Sequence, residues 1–434
     1  MDHKDKLKKE IFEKVKEYYK SYLSKKPEGV PVSGKKFDEK EVISIVDAAL
    51  DGWWTEGRVT EAFEKKLNAF LGTKHTLVVN SGSSANLLAF AALTSAKLKE
   101  RRIKPGDEVI TVAAGFPTTI NPIILYGCVP VFCDVDLETY NINIEQFKKA
   151  ISPKTKAVFL AHTLGNPFNL EEIKKACQKH NLWLIEDACD ALGAKYKGKP
   201  VGTFGDIATF SFYPAHQITM GEGGAIVTDN ALLARILKSL KDWGRDCFCK
   251  TGQDNACGKR FSWQLGNLPY GYDHKYTYSE MGYNLKNTDL NVAIGLAQMD
   301  KLDDFVKARK RNFEMLSQKM KKYSDYFMLP KPTKDSEPSW FGFLMTLTDK
   351  CRFTRRDLLE YLDKNRIGTR LLFGGNITKQ PYFVDNNIKY RVVGDFTNSN
   401  RIMNDSFWIG VCPAISEKDI DYVIAKIGAF IREH

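Results

Sequence analysis

Residues 207–228 read IATFSFYPAHQITMGEGGAIVT. An apolar, β-branched run ends in the hydroxyl of Ser211, turns through Pro214 and carries a histidine at 216. Gly221, Gly223 and Gly224 then lead into a second β-branched run. Two strands joined by a loop rich in glycine and hydroxyls are a means of holding a ligand at the edge of a sheet.

Outward from this stretch the same alternation continues. Short apolar runs occur at 75–80, 108–113, 129–136, 157–162 and 182–188, with helical patterns at 83–98 and 170–180 between them. With 207–212 and 224–228 this makes seven candidate strands. Strands alternating with helices predict a mostly parallel sheet covered on both faces, in an α/β fold. The last three runs follow one another closely, so at least one is expected to run antiparallel.

Residues 243–280 lack clean periodicity and are rich in Gly, Cys and aromatic side chains, as functional loops are. A helical pattern spans about 288–323, and prolines at 330, 332 and 338 mark a break. The expected organisation is an N-terminal helical extension (1–38), a large cofactor-binding domain (39–300) and a small C-terminal α+β domain (301–434).

The chain has 434 residues and a formal net charge of +11. Its Lys and Arg residues are spread along the chain without a tight block, which argues against nucleic acid and suits an anionic small molecule or an acidic partner. No apolar run reaches the length of a membrane span, and residues 1–20 have no apolar signal core, so the cytoplasm is the expected location. Nine cysteines in such a compartment are expected to be reduced. Cys128, Cys133, Cys177, Cys351 and Cys412 fall in apolar elements and read as small core residues.

Three segments carry chemistry. Asn80-Ser-Gly-Ser-Ser-Ala-Asn86 follows a strand and opens a helix, a geometry that offers backbone N–H groups to an anion; an ordinary serine N-cap is the plainer alternative. Leu184-Ile-Glu-Asp187 ends a strand in two acids, one of which can hold a pyridine nitrogen protonated; a strand-end turn residue is the alternative. The third is the 210–224 stretch with His216.

Together these segments resemble the nucleotide-sugar aminotransferase (DegT-type) family, built on the aspartate-aminotransferase fold. The family pattern is Ser-Phe-x-x-x-Lys-x-(Ile/Leu) before a Gly-Gly turn. Here Ser211, Phe212, Gly223 and Gly224 stand in place, and His216 replaces the lysine. Gly115-Phe-Pro-Thr-Thr-Ile-Asn121 and Met281-Gly-Tyr-Asn284 also match, and the resemblance runs from Gly52 to about Pro413.

The resemblance implies that Gly82, Ser83 and Ser211 hold a cofactor phosphate, that Asp187 pairs with the pyridine nitrogen and that Phe116 stacks on its ring. Asn284 would reach the phosphate of a neighbouring subunit in a homodimer. The family often has Gln where this chain has Asp190. Without the lysine the cofactor is not covalently held. Pyridoxamine 5′-phosphate (PMP) rather than covalently bound pyridoxal phosphate (PLP) is then implied, with His216 as the base and dehydration rather than amino transfer as the outcome.

Cys189, Cys247, Cys249 and Cys257 stand apart. Read alone, they are equally a thiolate metal site and structural cysteines. Their spacing resembles the [2Fe–2S] branch of lysine-less sugar 3-dehydrases, which act on CDP-4-keto-6-deoxyglucose in 3,6-dideoxyhexose (lipopolysaccharide) biosynthesis. That implies a CDP-sugar substrate and an NADH-dependent flavin/iron–sulfur reductase as partner. Alternatives are a cluster-free 3-dehydratase of the colitose-pathway type and the iron–sulfur chemistry on a dTDP-sugar. A non-catalytic cofactor-binding member and a plain aminotransferase are further alternatives. Arg370 and Lys275 are candidates for contacting the substrate diphosphate.

Overall fold

A computed structural model describes residues 3–24, 28–247, 249, 251–256 and 258–434. All seven expected strands are present in one sheet. An eighth, Arg391–Val393, joins its edge, giving the order His75–Val79, Gly224–Thr228, Ile207–Ser211, Trp183–Asp187, Thr155–Ala161, Glu108–Val112, Val129–Cys133, Arg391–Val393. Gly224–Thr228 runs antiparallel to both its neighbours, and every other pairing is parallel. The eighth strand was not legible because it is three residues long and only half-buried.

The central strands are buried along their whole length and read as continuous apolar runs, as strands covered on both faces must. Helices Gly82–Leu93 and Ala231–Lys241 help to close one side of the sheet. The helical pattern near 288–323 resolves into Asp289–Gln298 and Leu302–Met320 with short 3-10 turns after each. A smaller antiparallel sheet follows, in the order Phe327–Met328, Gly342–Leu347, Ser406–Gly410, Thr369–Arg370. The N-terminal segment forms helix His3–Tyr18, none of whose residues is buried. Among the described residues no helix is long and apolar enough to cross a membrane.

Four of the five cysteines expected in the core are buried. Cys351 is only half-buried, its thiol donating to Tyr326 O at 3.2 Å. Burial pushes the thiols of Cys128, Cys133 and Cys177 up to about 12.

One buried carboxylate fixes the carboxyl edge of the large sheet. Glu186 is fully buried and accepts from the backbone N–H groups of Gly202 (2.9 Å), Phe204 (2.8 Å) and Gly205 (2.6 Å). His162 Nε2 lies 3.1 Å from it, while His162 Nδ1 accepts from Phe168 N at 3.3 Å, so the Nε2–H faces Glu186. Burial alone raises the Glu186 pKa, but the His162 contact and these N–H groups outweigh it and hold the carboxyl below its ordinary value.

Glu186→Ala would leave these donors unpaired and is expected to cost about 3 kcal/mol of unfolding free energy. With the folded pKa depressed, the carboxylate stabilises above the unfolded pKa and this is lost as pH falls through the folded value. The gap between wild type and Glu186→Ala in denaturant titrations should therefore be constant above about pH 5 and shrink below it.

Candidate active site

The cavity is built where strand ends meet. Val79 and Ser211 both pair with Gly224, which brings the turn after His75–Val79 beside the end of Ile207–Ser211. A Cβ on Gly224 would lie 2.3 Å from Ser81 O and 2.7 Å from Gly82 N. Only glycine lets these turns approach so closely. Ser81 is the N-cap of helix Gly82–Leu93, accepting from Ser84 N at 3.0 Å. The serine N-cap and the anion cup are thus one feature. A Cβ on Gly82 would lie 2.4 Å from Ser211 Cβ, 2.8 Å from Ser211 Oγ and 3.1 Å from Cys189 Sγ. The helix N-terminus and the Ser211 hydroxyl together suit a phosphate.

Asp187 stands at the end of strand Trp183–Asp187, on the opposite face from Glu186. Its Oδ2 accepts from Asn86 Nδ2 (2.8 Å) and Thr119 Oγ1 (2.6 Å), and its Oδ1 from Cys189 N (3.1 Å). Asn86 Oδ1 in turn accepts from Thr209 Oγ1 at 2.6 Å. A carboxylate has about four acceptor positions. The Cys189 thiol also bonds to this carboxylate, and a protonated ring nitrogen in the cavity would compete with that weak donor.

These groups line a cavity of about 420 Å³, together with Ser83, Phe116, Asp190, Tyr213, His216 and, from the small sheet and its approaches, Phe341, Arg370 and Trp408. Phe116 is about half exposed, and its ring meets Phe373 edge-on at 5.8 Å. A ring with a free face at a cavity wall can stack on a planar ligand.

His216 lies on the loop between strands Ile207–Ser211 and Gly224–Thr228. Buried Phe212 anchors the loop's start, packing on Phe63 at 5.2 Å, and Met220 N donates back to Phe212 O at 2.8 Å. The imidazole is mostly buried, 5.1 Å from the Phe341 ring. Its Nδ1 lies 3.3 Å from Asp190 Oδ1, within ion-pair range but off the hydrogen-bond line.

Of the expected residues, Gly82, Ser83, Phe116, Asp187, Ser211, His216 and Cys189 thus converge on one cavity. Asn284 is exposed and does not line the cavity of its own chain. Arg370 does, but Lys275 pairs with Asp254 elsewhere. Cys247 and Cys249 line a separate small cavity with Arg260 and His274, at the base of the aromatic loop. Cys257 lies outside the described residues. Among the described residues no three His, Cys, Asp or Glu side chains form a metal-binding group, so Cys189, Cys247 and Cys249 do not assemble one by themselves. Burial pushes the Cys189 thiol up, and neighbouring Asp187 adds to the effect.

Sequence reasoning gave no role to Asn86, Thr119, His162, Tyr213 or Phe341. Two of them had a signal. Asn86 is one helical turn after Gly82 and therefore shares its face, and Thr119 lies three residues after Phe116 at a helix start.

Comparison with known proteins gives a consistent picture. Residues 35–428 match the model of the DegT/DnrJ/EryC1/StrS aminotransferase family. The chain is 55% identical to the lipopolysaccharide biosynthesis protein RfbH of Salmonella typhimurium, over 98% of both chains. It is 50% identical to the dTDP-4-dehydro-2,6-dideoxy-D-glucose 3-dehydratase of Saccharopolyspora spinosa, over 92% of this chain and 86% of that one. Its fold is similar to the solved Escherichia coli GDP-4-keto-6-deoxy-D-mannose-3-dehydratase with bound hydrated PLP. There the TM-score is 0.81 and the identity 30%, over 92% of this chain and 99% of that one.

Proposed function

Because the chain belongs to the DegT/DnrJ/EryC1/StrS aminotransferase family, we propose that it is a PMP-dependent nucleotide-sugar 3-dehydratase with His216 as its base. The observation that carries this reading is a histidine, not a lysine, in the cavity that also holds Asp187 and the Gly82–Ser211 cup. Relatives named as sugar 3-dehydratases support it.

PMP, when bound, supplies an amine to capture a sugar ketone and a ring that withdraws electrons. Gly82, Ser83 and Ser211 would hold its phosphate. Asp187, oriented by Asn86, Thr119 and Cys189 N, would keep its ring nitrogen protonated. Phe116 would cover one ring face. Asn284, outside its own chain's cavity, would serve the partner site of a homodimer.

His216 does the proton work. A small ring rotation brings Nδ1–H into line with Asp190, as catalytic hydrogen bonds often tighten only on binding. Asp190 would then fix the tautomer and leave Nε2 as the basic nitrogen, free to accept a proton on the cavity side. The proton held on His216 and the hydroxyl leaving sugar C3 would together make up the one water lost. Histidine cannot make the covalent cofactor link that a lysine would, and this biases the site toward elimination.

The finer reading is a CDP-4-keto-6-deoxyglucose 3-dehydrase with a [2Fe–2S] cluster on Cys189, Cys247, Cys249 and Cys257, fed by an NADH-dependent flavin/iron–sulfur reductase. The support for the cluster is the sequence spacing of the four cysteines. A dTDP-sugar substrate is the second reading, favoured by the 50% identity to a dTDP-sugar 3-dehydratase. The cluster-free alternative is favoured by the scattered positions of the three described cysteines.

His216→Asn is expected to abolish loss of water from the sugar while PMP affinity, read by fluorescence quenching, stays within about threefold of wild type; unchanged turnover would remove His216 as the base. Anaerobically purified protein should contain about two irons and two acid-labile sulfides per chain. An iron-free protein never exposed to air would favour the cluster-free enzyme.

A further inference from the structure

Helix Leu302–Met320 buries Leu302, Phe305, Val306, Arg309, Asn312, Phe313, Leu316 and Met320. This is the core-facing stripe of an amphipathic helix, and Arg309 occupies a position where an apolar side chain belongs. It is among the largest fully buried side chains of the protein. Burial lowers its guanidinium pKa to about 10, so it remains charged at neutral pH. Among the described residues no carboxylate lies within ion-pair distance of it, and Asp190 acts on it only through space. Its donors go to four backbone carbonyls instead: Nη2 to Ala215 O (3.3 Å) and His216 O (3.0 Å), and Nη1 to Trp340 O (3.3 Å) and Phe341 O (3.5 Å).

A buried cation with no carboxylate in direct contact is costly, and apolar packing would fill this position at less cost. What the guanidinium does here is geometric. Its flat fork joins two segments that lie far apart in the sequence. One is the loop that carries His216. The other, Trp340–Phe341, leads into strand Gly342–Leu347 of the small sheet and places the Phe341 ring 5.1 Å from the His216 ring. Gln217 reinforces the joint, its amide donating to Ser339 O at 2.9 Å and to Asp190 O. The backbone that sets Asp190, the backbone that sets His216 and the ring that flanks the imidazole are therefore tied through Arg309 and Gln217.

We propose that Arg309 is a positioning residue for the His216 base, clamping the His216 loop to the small-domain segment that carries Phe341. Arg309 does not line the cavity that holds His216. Its effect is to hold the imidazole at the angle from which proton transfer occurs, and a misplacement of about 1 Å there costs about 100-fold in rate. This inference rests on the assignment of His216 as base.

The test uses Arg309→Met and Arg309→Lys in the full chain, beside His216→Asn. PMP and the CDP-, dTDP- and GDP-linked 4-keto-6-deoxyhexoses are supplied, and turnover is followed on whichever sugar the wild type dehydrates. Arg309→Met is expected to lower kcat about 100-fold while KM and PMP affinity stay within about threefold. Arg309→Lys, which keeps the charge but reaches fewer carbonyls, should fall between the two. If Arg309→Met does not fold, Arg309→Lys alone decides, by whether kcat falls while the thermal midpoint and PMP affinity hold. Full kcat in the folded variants would overturn the clamp. So would parallel loss of kcat, PMP affinity and thermal midpoint, which marks a merely structural residue. An inactive His216→Asn beside fully active Arg309 variants sinks this inference alone. An active His216→Asn, or a wild type that dehydrates none of the three sugars, sinks the function on which it rests.

Discussion

Two adjacent carboxylates at the tip of one buried strand organise this protein. Glu186 and Asp187 are consecutive, so strand geometry sends them to opposite faces of the sheet. Neither can be buried without donors. The donors that Glu186 recruits are backbone N–H groups of 202–205 and the imidazole of His162, and these knit the sheet edge to its loops. The donors that Asp187 recruits are Asn86 and Thr119, each at the start of a helix that points at the cavity. One side of the strand tip therefore becomes frame and the other becomes site.

That constraint explains which features were readable. A run such as WLIED announces a buried strand ending in acid, and SGSS after a strand announces a helix start with room for an anion. Both follow from local chemistry. The companions of those residues did not announce themselves. Asn86 and Thr119 are ordinary polar residues until the sheet order brings 187 between them, and sheet order is a non-local property. The strand Arg391–Val393 was missed for a related reason: three half-buried residues carry no period. Arg309 was the most deceptive. In sequence it sits among lysines and arginines of an amphipathic helix, and only the phase of the stripe Leu302, Phe305, Val306, Phe313, Leu316 shows that it faces inward. The four cysteines set apart by spacing show the opposite limit. Their spacing carries a resemblance, but Cys189 opens on the cofactor-sized cavity and Cys247 and Cys249 on another, with Cys257 outside the described residues.

The chemical consequence of the proposed reading lies in one residue, a histidine where the family pattern has a lysine. A lysine would link to the cofactor and carry protons in both directions. An imidazole can only do the second. Around it stand a carboxylate beside Nδ1, an aromatic ring against the imidazole and a buried guanidinium on the carbonyl of its own residue. On the proposed reading such a site favours elimination, because the proton removed is matched by a leaving hydroxyl rather than by transfer of an amine.

The most direct measurement of this claim is the fate of heavy oxygen from labelled water. The protein is incubated anaerobically with PMP and a 4-keto-6-deoxyhexose nucleotide, with no reductase present. The recovered sugar is then reduced and fragmented for mass spectrometry. Reversible elimination predicts heavy oxygen at sugar C3, beyond the exchange that the C4 ketone undergoes by itself. No label at C3, together with an amino group in place of the C4 oxygen, would show amino transfer and contradict the account.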